Sequence, residues 1–336
     1  MKITFFEARE NEKVLLTSLL AGHELSFYKE KLDLALSSTA KDAEIISVFV
    51  NSEITREIIE ALPKLKLIAT RSTGFDHIDC AYAKEKGIAV VTVPSYGTHT
   101  VAEFAFGLIL ALSRKICSAG NQIRETGTGD FNIAPFQGFD LYGKTLGIVG
   151  TGRIGKNTAL IAKGFGLKIL ATDLFSDQAF VEASGIEYVP LSVLLSNSDI
   201  ISLHALYNET TYHLINKENI KLIKKGSIFI NTARGELVDT EALVWALKEG
   251  IIAGAGLDVL EGERKLKEEA EFLAEGSGDA KDFRLLVEDH IIMEMPNVIV
   301  TPHIAFFSRE AEEEISKTTA GNILAFARGT PENLVK

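Results

Sequence analysis

The chain has 336 residues, of which 46% are hydrophobic and 24% are charged, and its formal net charge is −11. This length predicts two domains with ample buried volume, and the ordinary composition excludes a disordered or collagen-like protein. The acidic charge, without a cluster of Lys or Arg, argues against a nucleic acid as partner.

Two features of the sequence bear on its cellular setting. The stretch MKITFFEAREN has no signal-peptide core, and the most apolar run, residues 104–112, is too short to span a bilayer. Cys80 and Cys117 are the only cysteines, which is too few for a disulfide framework. The sequence therefore predicts a cytoplasmic protein in a reducing compartment, with no membrane partner.

Short apolar runs alternate with segments of helical period along most of the chain. This alternation is typical of parallel sheets with crossover helices, so we predict an α/β fold with two such series. The strands of the first series are predicted at residues 2–6, 24–28, 44–50, 65–70 and 88–93. Those of the second are predicted at residues 145–149, 168–172, 200–204, 227–231, 254–259 and 298–300.

Two predicted helices define the domains. A long, largely buried helix at residues 99–119 lies between the two series and bridges them. A second helix, at residues 308–327, has no place in the second sheet and is expected to return to the first domain. The predicted domains are residues 1–99 plus 301–336 and residues 100–300. Because the chain crosses their junction twice, a hinged cleft is expected between them.

A glycine-rich segment, GIVGTGRIGK, ends one predicted strand and opens a helix. Gly150, Gly152 and Gly155 match the G-x-G-x-x-G fingerprint, in which the amino terminus of the helix holds the pyrophosphate of a dinucleotide. A tight turn between two buried elements is the alternative interpretation, because glycines mark turns in any fold.

The strand that follows the glycine segment helps to decide between these interpretations. It ends at Asp173, about 20 residues on, where an acid that binds the ribose hydroxyls is expected. This carboxylate would repel a 2′-phosphate, and neither Leu174 nor Phe175 supplies a cation. The predicted cofactor is therefore NAD rather than NADP.

Candidate reacting groups follow three predicted strands of the second series. Arg234 ends INTARG, Asp258 and Glu263 lie in GLDVLEGE, and His303 ends IVTPH. An arginine can hold a carboxylate by two hydrogen bonds, and a histidine beside an acid can exchange a proton near neutral pH. Singly, each of these residues is also compatible with a surface ion pair, a solvated acid or a buried structural histidine.

These motifs together resemble a known enzyme family. GTGRIG, NTARGELVD, GLDVLEGE and TPHIAFF, with VPSYGTHTVAEFAFGL and STGFDHID, resemble in order and spacing the D-isomer-specific 2-hydroxyacid dehydrogenases. TRSTGFDHID and TPHIAFFS are most similar to the D-lactate dehydrogenase branch. The resemblance covers nearly the whole chain. It implies two doubly wound parallel-sheet domains, a flavodoxin-like substrate domain and a Rossmann NAD-binding domain.

The resemblance also implies an activity. The expected reaction is NADH-dependent reduction of a 2-keto acid, most simply pyruvate to D-lactate. Glyoxylate, hydroxypyruvate or a bulkier 2-keto acid is the alternative substrate, and a nucleotide-sensing, corepressor-like binding protein is the alternative from another class. The family implies a homodimer built on the cofactor domain through residues 99–119 and the loop that follows. No metal is expected, because the histidines lack metal-ligand spacing.

The resemblance assigns roles to individual residues. Arg234 is implied as the carboxylate anchor, His303 as the acid/base and Glu263 as its partner. The implied substrate-binding set is Thr73, Gly74, Tyr96, Arg234, His303 and Phe306. The implied cofactor-binding set is Gly150, Thr151, Gly152, Arg153, Ile154, Gly155, Asp173, Ala205, Leu206, Thr211, Thr232, Ala233, Arg234, Asp258 and His303.

Two departures from the family pattern carry expectations of their own. Leu206 stands where many relatives have a proline, which predicts a less rigid backbone over the cofactor. The interval from Asp258 to His303 is long for the family, and an extra surface helix is predicted there.

Overall fold

The computed structural model of the protein describes residues 1–126, 132–263, 266, 269 and 279–335. The strands are β1 (Lys2–Phe5), β2 (Glu24–Phe27), β3 (Ile45–Val48), β4 (Leu67–Thr70), β5 (Ala89–Val91), β6 (Thr145–Val149), β7 (Lys168–Thr172), β8 (Glu187–Tyr188), β9 (Ile200–Leu203), β10 (Ser227–Asn231), β11 (Ile252–Leu257) and β12 (Val298–Val300). The helices are α1 (Glu10–Leu19), α2 (Arg56–Ala61), α3 (Cys80–Glu85), α4 (Thr98–Ser113), α5 (Ile116–Thr126), α6 (Arg153–Gly164), α7 (Gln178–Ser184), α8 (Leu191–Asn197), α9 (Thr240–Lys248), α10 (Ala280–Glu294) and α11 (Arg309–Ala327).

Contacts within the chain divide it into two compact units. The first consists of Met1–Gly97 and Phe307–Lys336, and the second of Thr98–Phe306. In the first unit, α11 packs against α1 and β4, so the last helix completes a core begun by the amino-terminal residues. The segment 301–306, predicted to start the return to the first domain, groups with the second unit. Its loop is hydrogen-bonded there to the carboxylate of Asp258.

Each unit is built on a parallel sheet. Among the described residues, the first sheet has five strands in the order β2-β1-β3-β4-β5, and the second has seven in the order β12-β11-β10-β9-β6-β7-β8. Every strand pair is parallel, with registers such as Ile45 opposite Leu67 and Val149 opposite Leu203. This confirms the predicted α/β fold of two doubly wound parallel sheets.

The central strands were predicted well for a physical reason. Helices cover both faces of a parallel sheet, so a central strand is buried on both sides and reads as a continuous apolar run. All residues of β3, β4, β9 and β10 are buried. β6, β7, β10 and β12 begin and end at the predicted residues. β8 was not predicted, because a two-residue edge strand carries no periodic signal.

The single helix predicted at residues 99–119 is wrong. The structure has α4 and α5 there, because Lys115 adopts a left-handed backbone conformation with φ of 57° and ends the first helix. α4 is buried along much of its length, whereas α5 has no buried residue.

The long interval between β11 and β12 contains the helix α10. Its side chains at Leu286 and Ile292 are buried, and it packs against α9 and β12. Residues 264–278 are described only at positions 266 and 269. Across the part of the chain that is described, no helix combines the length and apolar character needed to cross a membrane.

Candidate active site

The glycine fingerprint forms the turn between β6 and α6. Gly150 has φ of 94°, and a Cβ there would lie 2.5 Å from the backbone nitrogen of Ala205. A Cβ on Gly155 would lie 2.0 Å from the carbonyl oxygen of Gly150, so α6 packs directly on the turn. A Cβ on Gly152 would meet nothing within 4 Å. The backbone before α6 is therefore open to a ligand, which fits a dinucleotide at the helix amino terminus.

Asp173 directly follows β7 and faces this turn. Its Oδ2 accepts hydrogen bonds from the Thr151 backbone nitrogen at 2.6 Å and the Thr151 hydroxyl at 3.0 Å, and its Oδ1 accepts one from the Phe175 nitrogen at 3.2 Å. Burial raises the pKa of Asp173, but these hydrogen bonds outweigh burial and bring the pKa below its usual value. The carboxylate is thus a fixed negative charge beside the glycine turn.

Arg234 follows β10 in a tight loop that the buried Asn231 holds together. The Asn231 side chain donates to the carbonyl oxygen of Arg234 at 2.8 Å and accepts from the nitrogen of Ala233 at 3.0 Å. The next residue, Gly235, packs closely on the segment that follows β11, where a Cβ on Gly235 would lie 2.1 Å from the carbonyl carbon of Leu260. The loop of Arg234 therefore lies directly against the segment that leads to Glu263. Sequence reasoning had assigned no role to Asn231.

Asp258 follows β11, and its side chain is 1% exposed. It accepts hydrogen bonds from the Thr301 hydroxyl at 2.6 Å, the Ile304 nitrogen at 2.9 Å and the Ala305 nitrogen at 2.8 Å. Burial raises the pKa of Asp258, and the three hydrogen bonds oppose that effect. The structure therefore uses this carboxylate to hold the loop that carries His303. Its predicted contact with the cofactor stays a prediction.

His303 and Glu263 form a close pair. The distance from His303 Nδ1 to Glu263 Oε1 is 2.8 Å, and both side chains are about one-quarter exposed. His303 has φ of 55°, a left-handed conformation that is strained for a residue with a side chain. The Phe306 ring stands edge-on to the imidazole, with ring centroids 6.5 Å apart. Since Nδ1 is held by the carboxylate, Nε2 is the ring nitrogen that can exchange a proton with a ligand.

The three predicted catalytic residues follow neighbouring strands. β10, β11 and β12 are adjacent in the sheet, so Arg234, Glu263 and His303 all come from its carboxyl edge. In open α/β sheets, this edge is where ligands bind. The arrangement can hold a carboxylate with a guanidinium and move a proton with an imidazole.

Further residues of the predicted cofactor set surround the same edge. Thr211 donates to the carbonyl oxygen of Leu206 at 2.8 Å and closes the loop after β9, while the Leu206 side chain is largely exposed. The Thr232 hydroxyl is buried and has no hydrogen-bond partner among the described residues, so it is available to a ligand. The neighbouring His204 donates to or accepts from Ser202 at 2.9 Å, and burial lowers the pKa of His204 to about 4.

The first unit carries the remaining predicted substrate residues. The Thr73 hydroxyl donates to the carbonyl oxygen of Val93 at 2.8 Å, and the Ser72 hydroxyl donates to that of Gly74 at 2.6 Å. His77 lies behind this loop, with Nε2 3.2 Å from the Thr70 hydroxyl. Tyr96 is half-buried just before α4. Their contacts with substrate remain predictions. The supporting side chains of Ser72 and His77 were not predicted, because they have no periodic or motif signature.

A second acid cluster lies directly behind Glu263. Glu261 accepts a hydrogen bond from His213 Nε2 at 2.8 Å and one from the Thr240 hydroxyl at 2.8 Å. Asp289 of α10 is fully buried, and none of the described side chains donates a hydrogen bond to its carboxylate. A Cβ on Gly262 would lie 2.3 Å from Asp289 Oδ2. Burial, with the charge of Glu261, raises the pKa of Asp289 to about 7.

This buried acid predicts a pH-dependent stability. Because its pKa is about 7 in the folded protein and 3.8 ordinarily, the unfolded chain releases this proton at lower pH than the folded one. The wild type should therefore lose up to about 4 kcal/mol of stability relative to Asp289→Asn as the pH rises from about 4 to 7, and about 3 kcal/mol of this loss falls between pH 5 and pH 8. Urea unfolding of both proteins at pH 5 and pH 8 measures the difference. Glu294→Gln, at an exposed position of the same helix, is the control, and parallel behaviour of Asp289→Asn and wild type would contradict the prediction.

The described residues contain no group of three or more His, Cys, Asp or Glu side chains able to hold a metal ion.

The open glycine turn, the anionic Asp173 and the His303–Glu263 pair together define an NAD-dependent dehydrogenase.

Comparison with known proteins supports this class and narrows it. Residues 106–305 match the model of the "D-isomer specific 2-hydroxyacid dehydrogenase, NAD binding domain". The chain is 37% identical to D-lactate dehydrogenase of Escherichia coli over 344 residues, which covers 100% of both chains. It is 38% identical to a glyoxylate reductase of Korarchaeum cryptofilum over 343 residues, which covers 100% of this chain and 96% of that one. A solved D-lactate dehydrogenase of Aquifex aeolicus, complexed with NAD and lactic acid, matches with a TM-score of 0.85 and 36% identity, covering 99% of this chain and 98% of that one.

The protein belongs to the D-isomer-specific 2-hydroxyacid dehydrogenases, a family of oxidoreductases that use NAD. The predicted family, cofactor and enzyme class are thereby confirmed.

Proposed function

We propose that the protein catalyses the reversible reduction of pyruvate to D-lactate with NADH. The observation that carries this proposal is the His303–Glu263 pair, held at 2.8 Å on a loop that the buried Asp258 fixes. The similarity to D-lactate dehydrogenases of known structure supports pyruvate as substrate.

The residues of the second unit have distinct roles in this reaction. The guanidinium of Arg234 binds the carboxylate of the keto acid through two hydrogen bonds and orients the keto carbon. Protonated His303 donates a proton from Nε2 to the carbonyl oxygen, and Glu263 stabilises the imidazolium through Nδ1. NADH, when bound, supplies the hydride that reduces the keto carbon. In the reverse direction, neutral His303 accepts the proton of the hydroxyl group.

A panel of 2-keto acids tests the proposal. NADH oxidation is followed by absorbance with pyruvate, glyoxylate, hydroxypyruvate and bulkier 2-keto acids, and the products are separated on a chiral column. We expect the highest kcat/KM with pyruvate and D-lactate as its product. Formation of L-lactate, or turnover of none of these acids, would overturn the assignment. The second outcome would favour the nucleotide-sensing binding protein.

The alternative substrate is glyoxylate or hydroxypyruvate. Glyoxylate reductases of Korarchaeum cryptofilum and Thermococcus litoralis are 38% and 40% identical to the chain, as close as the lactate dehydrogenases. A kcat/KM for glyoxylate above that for pyruvate in the same panel would establish it.

Glu263→Gln is expected to lower kcat for reduction by roughly 10- to 100-fold, the size of one hydrogen bond to a charged group. Glutamine preserves the shape of the side chain but removes the charge that stabilises the imidazolium 2.8 Å away. Stopped-flow kinetics and NADH binding by fluorescence measure the effect. Affinity for NADH should change little, and wild-type kcat would contradict the pairing.

We also propose that the protein is a cytoplasmic homodimer that pairs through α5. This helix has no buried residue and exposes Ile116 and Ile123. Apolar side chains on an amphipathic helix favour a protein partner over solvent. Light scattering should give twice the mass of one chain, and Ile123→Glu should shift the protein to the monomer.

A further inference from the structure

A line of hydrogen bonds runs from Asp173 to a cation on the first turn of α6. The Thr151 hydroxyl donates to Asp173 and accepts from the Tyr188 hydroxyl at 2.8 Å. The Tyr188 hydroxyl in turn accepts from the backbone nitrogen of Asp177 at 3.4 Å. The Asp177 carboxylate forms an ion pair with Lys156. The predicted ribose-binding acid is therefore linked to an ammonium group through the hydroxyls of Thr151 and Tyr188 and through Asp177, which contacts Tyr188 by its backbone and Lys156 by its side chain.

Lys156 is a cation that the sequence did not associate with cofactor selectivity. The motif places it directly after the last glycine of the fingerprint, whereas the cations sought from the sequence were those immediately after Asp173. Its ammonium group also lies 5.4 Å from the centre of the Phe180 ring. Both contacts hold the side chain against the start of α7.

The Asp177 carboxylate makes two contacts, one with each of its oxygens. Its Oδ1 accepts from the nitrogen of Phe180 at 3.0 Å and caps α7, while its Oδ2 binds Lys156. The hydrogen bond from Lys156 holds the pKa of Asp177 below its usual value, so the acid is ionised at neutral pH. The charge of Lys156 is thus neutralised by a neighbour rather than offered to a ligand.

We propose that Asp177 is a second determinant of the preference for NAD, because it withholds Lys156 from the 2′-phosphate of NADP. Asp173 repels that phosphate directly, and Asp177 removes the cation that would otherwise bind it. Lysine is a common phosphate ligand in proteins. The proposal concerns the cofactor alone and does not depend on which 2-keto acid is the substrate.

Nicotinamide fluorescence tests the proposal without any 2-keto acid. Dissociation constants for NADH and NADPH are measured for Asp173→Ser, for Asp173→Ser with Asp177→Asn, and for the latter with Lys156→Gln. Asparagine is as good an N-cap as aspartate, so α7 keeps its cap. The matched control combines Asp173→Ser with Glu182→Gln, which removes a charge from an exposed position of the same helix.

We expect Asp177→Asn to tighten NADPH binding by roughly 10-fold or more in the Asp173→Ser background, the size of one charge-assisted hydrogen bond. Lys156→Gln should abolish that gain, and Glu182→Gln should not reproduce it. A gain that survives Lys156→Gln, or one that Glu182→Gln matches, would overturn the proposal. Asp177→Asn alone keeps the test decisive if Asp173→Ser fails to fold, since it should lower the ratio of the NADPH to the NADH dissociation constant.

Discussion

Arg234→Gln is expected to lower kcat/KM for the 2-keto acid by about 100-fold or more. The variant would lose the two charge-assisted hydrogen bonds proposed between Arg234 and the substrate carboxylate, and a hydrogen bond of this kind contributes about 1.5–3 kcal/mol. The orientation of the keto carbon is lost with them. The loop itself should be preserved, because Asn231 holds it through the backbone of residues 233 and 234.

Two further variants sharpen this experiment. Arg234→Lys keeps the positive charge but lacks the planar fork, so its kcat/KM should lie between those of Arg234→Gln and wild type. Arg284, on α10, pairs with Glu241 of α9 and with Glu288 of its own helix. The variant Arg284→Gln should have a kcat/KM near that of the wild type. If Arg234→Gln retained wild-type kcat/KM, the anchor would have to be sought elsewhere.

Arg71→Met is expected to destabilise the protein by about 3–5 kcal/mol, the cost of breaking a buried ion pair from one side. Arg71 is 1% exposed, and its Nε lies 3.3 Å from Glu12 Oε1. Its Nη2 donates to the carbonyl oxygens of Phe6 at 2.7 Å and Glu7 at 2.9 Å. Methionine fills similar space but leaves the buried Glu12 carboxylate without its cationic partner and both carbonyl groups without their donor.

A double-mutant cycle separates the ion pair from general disruption. Arg71→Met combined with Glu12→Gln should recover part of the lost stability, because the uncompensated buried charge is removed as well. Urea unfolding of the full chain, followed by circular dichroism, measures the wild type, Arg71→Met, Glu12→Gln and the double variant. Arg56→Met, at an exposed arginine, should change stability by less than about 1 kcal/mol. A loss in the double variant equal to the sum of the losses in the two single variants would exclude coupling between the two charges.

Arg71 also shows why the site was only partly predictable. It directly precedes the loop of Thr73 and Gly74, and its guanidinium joins β1, β3 and β4 by binding Phe6, Glu7 and the Ser47 hydroxyl. In the sequence, an arginine that directly follows an apolar strand predicts a side chain exposed to solvent. Only the folded chain shows that its partners come from β3, from the residues that follow β1 and from α1.

Asp258, in the second unit, was also only partly predictable from the sequence. The family resemblance implied a contact of Asp258 with the cofactor, and the motif could not show where the carboxylate points. In the structure, its hydrogen bonds go to Thr301, Ile304 and Ala305, so it shapes the loop of His303. The long interval between the two segments carries no local signal that would pair them.

The sequence by itself determined the two parallel sheets, the glycine turn and the acid after β7, and it named Arg234, Glu263 and His303 as the candidate reacting groups. The sheets, the glycine turn and the acid after β7 are local features, since they depend on apolar runs, on backbone space at glycine and on short spacings within one βαβ unit. The roles of Arg234, Glu263 and His303 were implied by the family resemblance. The tertiary structure alone decided the break at Lys115, the pairing of Arg71 with Glu12, the burial of Asp289 and the capture of Lys156 by Asp177. Each of these depends on packing or on partners from different elements, and such contacts leave no periodic trace in the chain.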